Sequence, residues 1–154
     1  MVKFELKGIQ IEATAELEQY DFRDSGGNYK THFNREANVK IRFWDFVILN
    51  DLYELAVLKS SLNYFIQAYW KRSSKLGTRI KLATSIEHKD NNFLQSLNLI
   101  AKQKNNIYSL EISLTENGNV IKGIYLNARE VIMMDIAISK AISLLMPQTF
   151  YLKK

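Results

Sequence analysis

The sequence predicts an α+β protein made of duplicated antiparallel-sheet-plus-helix units packed around a shared core. Three observations predict it. The dipeptide Leu-Asn stands at Leu49-Asn50 and again at Leu126-Asn127, half of this 154-residue chain apart. Each copy ends an extended apolar stretch and opens a stretch of helical period. Asn117-Gly118 is the strongest two-residue hairpin signal, because both positions tolerate φ > 0. The expected organisation is one domain over 1–154, with pseudo-repeats at 1–76 and 77–154.

The elements follow in order. Val2, Phe4 and Leu6 alternate with Lys3, Glu5 and Lys7, a half-buried strand. The parity changes at Lys7-Gly8, as a bulge or tight turn would cause. Ile9, Ile11, Ala13, Ala15 and Leu17 then share one face, and Glu12, Glu16 and Glu18 the wet one. Asp24-Ser-Gly-Gly-Asn28 is a turn. Tyr29, Thr31 and Phe33 alternate with Lys30 and His32 in a next strand. The clearest strand begins at Ala37: Ala37, Val39, Ile41 and Phe43 on one face; Asn38, Lys40, Arg42 and Trp44 on the other.

Helical spacing starts after Asn50 with Leu52, Leu55, Leu58, Leu62, Phe65 and Tyr69, capped by Asn50 or Asp51 and ending near 71–75. Thr78, Ile80, Leu82, Thr84 and Ile86 alternate with Arg79, Lys81 and Glu87, another strand. Asp90 to Lys104 fits a short helix capped by Asp90, the reading favoured here; Leu97, Leu99 and Ala101 also fit a strand. Tyr108, Leu110, Ile112 and Leu114 form a strand face. A two-residue loop at Asn117-Gly118 then pairs Leu114 with Ile121, Ile112 with Gly123 and Leu110 with Tyr125. The last helix starts at Asn127 with Glu130 completing its cap, and Pro147 ends it. It is apolar almost all round, with Asp135, Ser139 and Ser143 as a narrow polar stripe, so burial is expected and Met133-Met134 reads as core filler. Phe150, Tyr151 and Leu152 in the tail fit the core or a second subunit.

Cysteine is absent, so disulfides, thiolate zinc sites and cysteine nucleophiles are ruled out. The start of the chain alternates apolar and charged residues, unlike a signal peptide. The apolar run Val131–Met146 is interrupted by Asp135 and Lys140 and is short for a membrane span. A cytoplasmic, non-membrane protein is expected. No cofactor or metal is expected either: His32 and His88 have no metal-ligand spacing, and there is no phosphate-cradling glycine loop. Glu87-His88-Lys89 has the Glu-x-Lys form of metal-dependent nucleases, with Asp51 and Asp90 as further carboxylates by default. A solvated turn is the simpler explanation of His88-Lys89-Asp90, and a non-enzymatic protein is the expectation.

Twenty-one Lys and Arg against sixteen Asp and Glu give a net charge of +5, which favours polyanionic partners. Lys40, Arg42 and Trp44 share an outer strand face; Lys30 lies on the strand before, and Arg79 and Lys81 open the second half. Cations at period two with an interleaved aromatic suit a single strand of DNA or RNA, since cations neutralise phosphates and a ring stacks on any base. Wet faces of antiparallel sheets carry Lys and Arg for solubility as well. Tyr69-Trp70-Lys71-Arg72 with Lys75 is a second basic-aromatic group, which snorkelling lysine stems and a capping aromatic explain more simply than binding does. The apolar last helix and the tail Phe150-Tyr-Leu152 suit an oligomer or partner interface instead.

The stretch Ile107–Leu145, a hairpin, then Lys122-Gly-Ile-Tyr-Leu-Asn, then a helix, resembles the Whirly-like single-stranded nucleic-acid-binding superfamily. Its family unit has four strands before each helix. The resemblance implies binding of single strands through the sheet faces and homo-oligomers assembled through the helices. On this chain it points to Lys40, Arg42, Trp44, Arg79 and Lys81.

Overall fold

The computed structural model describes residues 1–71 and 82–145, without the side chains of 17–20, 32–36 and 82–84. Arg79, Lys81, Arg72, Lys75 and the tail 148–154 therefore lie outside the described residues. The fold is α+β. Four strands, β1 (Val2–Leu6), β2 (Ile9–Arg23), β3 (Tyr29–Phe43) and β4 (Phe46–Leu49), precede α1 (Leu52–Lys71). Four more, β5 (Leu82–Asp90), β6 (Phe93–Lys104), β7 (Ile107–Glu116) and β8 (Asn119–Asn127), precede α2 (Ala128–Leu145). Each set forms its own antiparallel sheet in sequential order.

Local backbone chemistry sets this meander. Four turns have two left-handed residues each: Lys7-Gly8, Asn91-Asn92, Asn105-Asn106 and Asn117-Gly118. That is the condition a type I′ hairpin demands, and asparagine meets it better than most residues. The parity change at Lys7-Gly8 is such a turn. The short helix expected over Asp90–Lys104 is instead strand β6. Asn91-Asn92 and Asn105-Asn106 turn the chain at both ends, and Leu97, Leu99 and Ala101 are buried at period two. Those alternating residues meet Ile86 and the buried face of β7, a match a helix could not make.

The register of the β7–β8 hairpin also differs from expectation. A bulge between Leu114 and Thr115 shifts it by one, pairing Leu114 with Lys122, Ile112 with Ile124 and Leu110 with Leu126. Leu126 is thereby buried and Tyr125 turned outward. The two strands expected around Lys30 and Lys40 are one continuous β3. Its expected run through Trp44 to Leu49 breaks at a two-residue turn, Trp44-Asp45, into β4.

Both helices carry side-chain caps. Asp51 Oδ1 accepts from the Glu54 N–H at 3.0 Å. At α2 the box is reciprocal: the Glu130 N–H donates to Asn127 Oδ1 (2.9 Å) and the Asn127 N–H to Glu130 Oε1 (3.1 Å). Lys7 adds an ion pair to Glu130 at 3.0 Å. Burial raises the Glu130 pKa, but the Asn127 and Lys7 contacts outweigh it and hold the carboxyl below its ordinary value. A lowered carboxylate pKa stabilises the fold above the ordinary value, and that gain fades as pH falls through the lowered one. Glu130→Gln is therefore expected to cost about 1 kcal/mol at neutral pH. The gap from wild type should close on acidification, read by urea melts at several pH values.

One cluster of buried apolar side chains draws on both sheets and both helices. α2 packs against β1, β2 and β3 of the first sheet and against α1; α1 reaches β5 of the second. Of the polar stripe of α2, Asp135 and Ser139 face α1 while Ser143 is exposed. Lys59 of α1 donates to Asp135 (3.2 Å) and to Ser139 (2.7 Å). This half-buried polar seam rotates part of the apolar surface outward, so α2 is less buried than expected. Met134 is buried, but Met133 and Ile136 are 44% and 51% exposed, which corrects the reading of both methionines as core.

Candidate nucleic-acid interface

The outward side chains of the first sheet follow from strand parity. Ile9, Ile11, Val39 and Ile41 are fully buried, so Gln10, Glu12, Lys40 and Arg42 alternate to the other face. The register sets Arg42 beside Gln10 and Lys40 beside Glu12, with Glu5 and Lys3 next on β1. Gln10, Glu12, Lys40 and Arg42 line one shallow depression. Among the described residues, neither Lys40 nor Arg42 makes an ion pair. Both ammonium and guanidinium are therefore available to an anion.

The other expected site residues do not join them. Trp44 is at the turn, in left-handed backbone at φ 56°, not on the outer face beside Lys40 and Arg42. Its ring covers Gly8: a Cβ there would come within 3.0 Å of the indole Nε1. The parity argument carried the strand one residue too far, because Trp44-Asp45 holds neither glycine nor asparagine to mark a turn. Gly8 has φ +87°. Gly8→Ala is expected to lose about 1–2 kcal/mol, through both the φ and the displaced indole. Thermal melts with Trp44 fluorescence would check it. Lys30 stands ten residues along β3 from Lys40, about 33 Å at strand rise, beside Asp24 at 3.5 Å.

The second sheet has an outer face that sequence reasoning missed. Tyr125 is 57% exposed, and Lys102 sits 5.6 Å over its ring and ion-pairs with Glu111 at 2.5 Å. That hydrogen bond to Glu111 raises the Lys102 pKa despite some desolvation, so its charge persists. Beside this group, Ser85, Asn98, Ser113 and Gly123 form a row of small and polar residues across all four strands. The bulge hid Tyr125 from a pattern reading by reversing its face. On α1, Tyr69 meets Tyr108 edge-on at 5.6 Å, while Trp70 is 84% exposed.

His88 is engaged elsewhere. Its Nε2 lies 2.7 Å from Glu54 Oε1, and its ring stacks on Phe46 at 4.2 Å. Among the described residues no cluster of three His, Cys, Asp or Glu could hold a metal ion. No described helix is long and apolar enough to cross a membrane. No protein-family model matches the chain, and no curated protein does.

Proposed function

We propose that this protein binds single-stranded DNA or RNA, without catalysis, across the outer faces of its two sheets. The observation that carries the reading is the unpaired, adjacent Lys40 and Arg42 over an open depression. Two phosphates of one strand are spaced for such a pair, and a single strand bends to follow a twisted sheet. Tyr125 with Lys102 supplies a ring and a charge on the second sheet. Four strands before each helix, twice, supports membership of the Whirly-like superfamily.

The test is fluorescence anisotropy of a labelled oligonucleotide at about 50 and 200 mM salt, with duplex as competitor. The expected result is micromolar binding that prefers single strands and weakens at least about tenfold at the higher salt. Absence of binding at low salt would sink the proposal and leave Lys40 and Arg42 as solubility features.

A second reading rests on α2. Ile132, Met133 and Ile136 are exposed on neighbouring positions, an apolar stripe suited to an assembly contact. Under that reading Ile136→Glu disrupts assembly and leaves anisotropy unchanged.

A further inference from the structure

We infer that the outer face of the second sheet holds a slot for one nucleobase of the bound strand, with Tyr125 as its wall and Gly123 as its floor. The slot rests on the single-strand reading above and gives the two sheets different tasks: phosphate contact on the first, base stacking on the second. Gly123 has no need within the chain to be glycine. Glycine weakens a strand interior, because it has no side chain to pack and more freedom to lose. Its backbone here is not left-handed. A Cβ added to it would meet only the Ile112 carbonyl oxygen at 3.8 Å and Ser113 Cβ at 3.9 Å, which are ordinary contacts. Gly123 is exposed, so the space it leaves open lies on the solvent side, where a ligand can approach the backbone closely.

The neighbours keep that space open. Beside Gly123 in its row, Ser113 is short and buried. Asn98, next in the row, turns its amide toward the row beyond, 3.4 Å from Ser96 O and from Thr115 Oγ1. On the other side stands the row of Ile100, Glu111 and Tyr125, and past it the row of Lys102, Ser109 and Asn127. Lys102 thus comes to the Tyr125 ring from the side away from Gly123, 5.6 Å from its centroid. Among the described residues the ring has no stacking partner. Same-face rows stand about 7 Å apart along a strand, and offset-stacked rings sit with centroids about 4.5–7 Å apart. A ring stacked on Tyr125 from the Gly123 side therefore stands over Gly123, where a longer side chain would collide with it. Val120, paired with Thr115 in the next row and 68% exposed, gives the slot an apolar far rim.

Charge selects the ligand. Lys102 is paired with Glu111, so the group around Tyr125 is neutral and offers a phosphate little. An uncharged flat ring suits it: the ring stacks on tyrosine whatever its identity, and nothing charged has to be desolvated. Lys40 and Arg42 on the first sheet are the reverse case, two free cations with Trp44 turned away from them.

Two labelled strands of about 15 nucleotides test the slot: oligothymidylate, and an abasic strand of the same length with the same phosphates and no bases. In anisotropy titrations at about 100 mM salt the wild type should prefer the thymidylate strand by about fivefold or more. Tyr125→Ala should weaken binding of that strand by about fivefold or more, and leave both the abasic affinity and the salt slope unchanged. Tyr125→Phe keeps the ring and should bind as the wild type does. Gly123→Val should behave like Tyr125→Ala, and the milder Gly123→Ala should lose less, while thermal melts show both at least as stable as the wild type. A wild type that binds neither strand would remove the single-strand reading and the slot with it. A wild type that binds both strands alike, or a folded Tyr125→Ala or Gly123→Val with full affinity for thymidylate, would overturn the slot alone. So would a lower Tm for Gly123→Ala, since the glycine would then serve the fold.

Discussion

Reversing Lys40 and Arg42 together, to Glu, is expected to lower affinity for a single-stranded oligonucleotide by roughly 10- to 100-fold at about 100 mM salt. Each cation that neutralises a phosphate releases a condensed counterion, worth about 0.7 in the slope of log affinity against log salt for a single strand. The double variant should therefore lose a slope of about 1.4, and the loss should be similar for all sequences. Glu12 shares the depression with these cations. Glu12→Gln removes its repulsion and should tighten binding by about two- to fivefold. Anisotropy titrations at several salt concentrations read both effects. An unchanged slope in the double variant would remove this face from the interface, whatever the residual affinity.

The largest stability effect is expected at Phe46. It is fully buried on β4, and its ring stacks on His88 of β5, so it joins the two sheets. Phe46→Ala leaves a cavity where that ring stood, and deletions of this kind cost about 3–5 kcal/mol. For a chain of this size that corresponds to a fall in Tm of about 8–16 °C. Because one core cluster spans both units, the variant should still unfold in a single, lower transition. His88→Ala keeps the buried ring and should cost far less. A loss below about 1 kcal/mol for Phe46→Ala would mean that the junction between the sheets is not where the structure puts it.

Much of the fold was legible in the sequence because strands and helices advertise their periods. The buried alternation of Ile9, Ile11 and Ala13, the helical spacing of Leu55, Leu58, Leu62 and Phe65, and the Asn127-x-x-Glu130 cap all stand where their patterns put them. The failures have physical causes. Leu94, Leu97 and Ala101 carry a helical spacing by coincidence inside β6, and the Asn-Asn pairs flanking it were the better signal. A bulge leaves no composition mark, so Tyr125 changed face unseen. For α2 the hydrophobic pattern was read correctly and the direction of burial was not. Polar residues such as Asp135 and Ser139 point to solvent only when no charged partner awaits them on a neighbouring helix, and Lys59 of α1 does. Of the candidate site, Lys40 and Arg42 were visible from strand parity; Trp44 was not, because its turn, Trp44-Asp45, has neither glycine nor asparagine at its left-handed position.

The placement of α2 also bears on how the chain is made. The first sheet is complete once Leu49 has been synthesised, but the helix that packs on β1, β2 and β3 begins only at Ala128. At about 5–20 residues per second the ribosome needs on the order of ten seconds to cross that interval. Ile9, Ile11, Val39 and Ile41 wait that long for their last neighbour. The nascent N-terminal half is thus a natural client for a holding chaperone, and a stop codon before α2 should send the product to proteolysis.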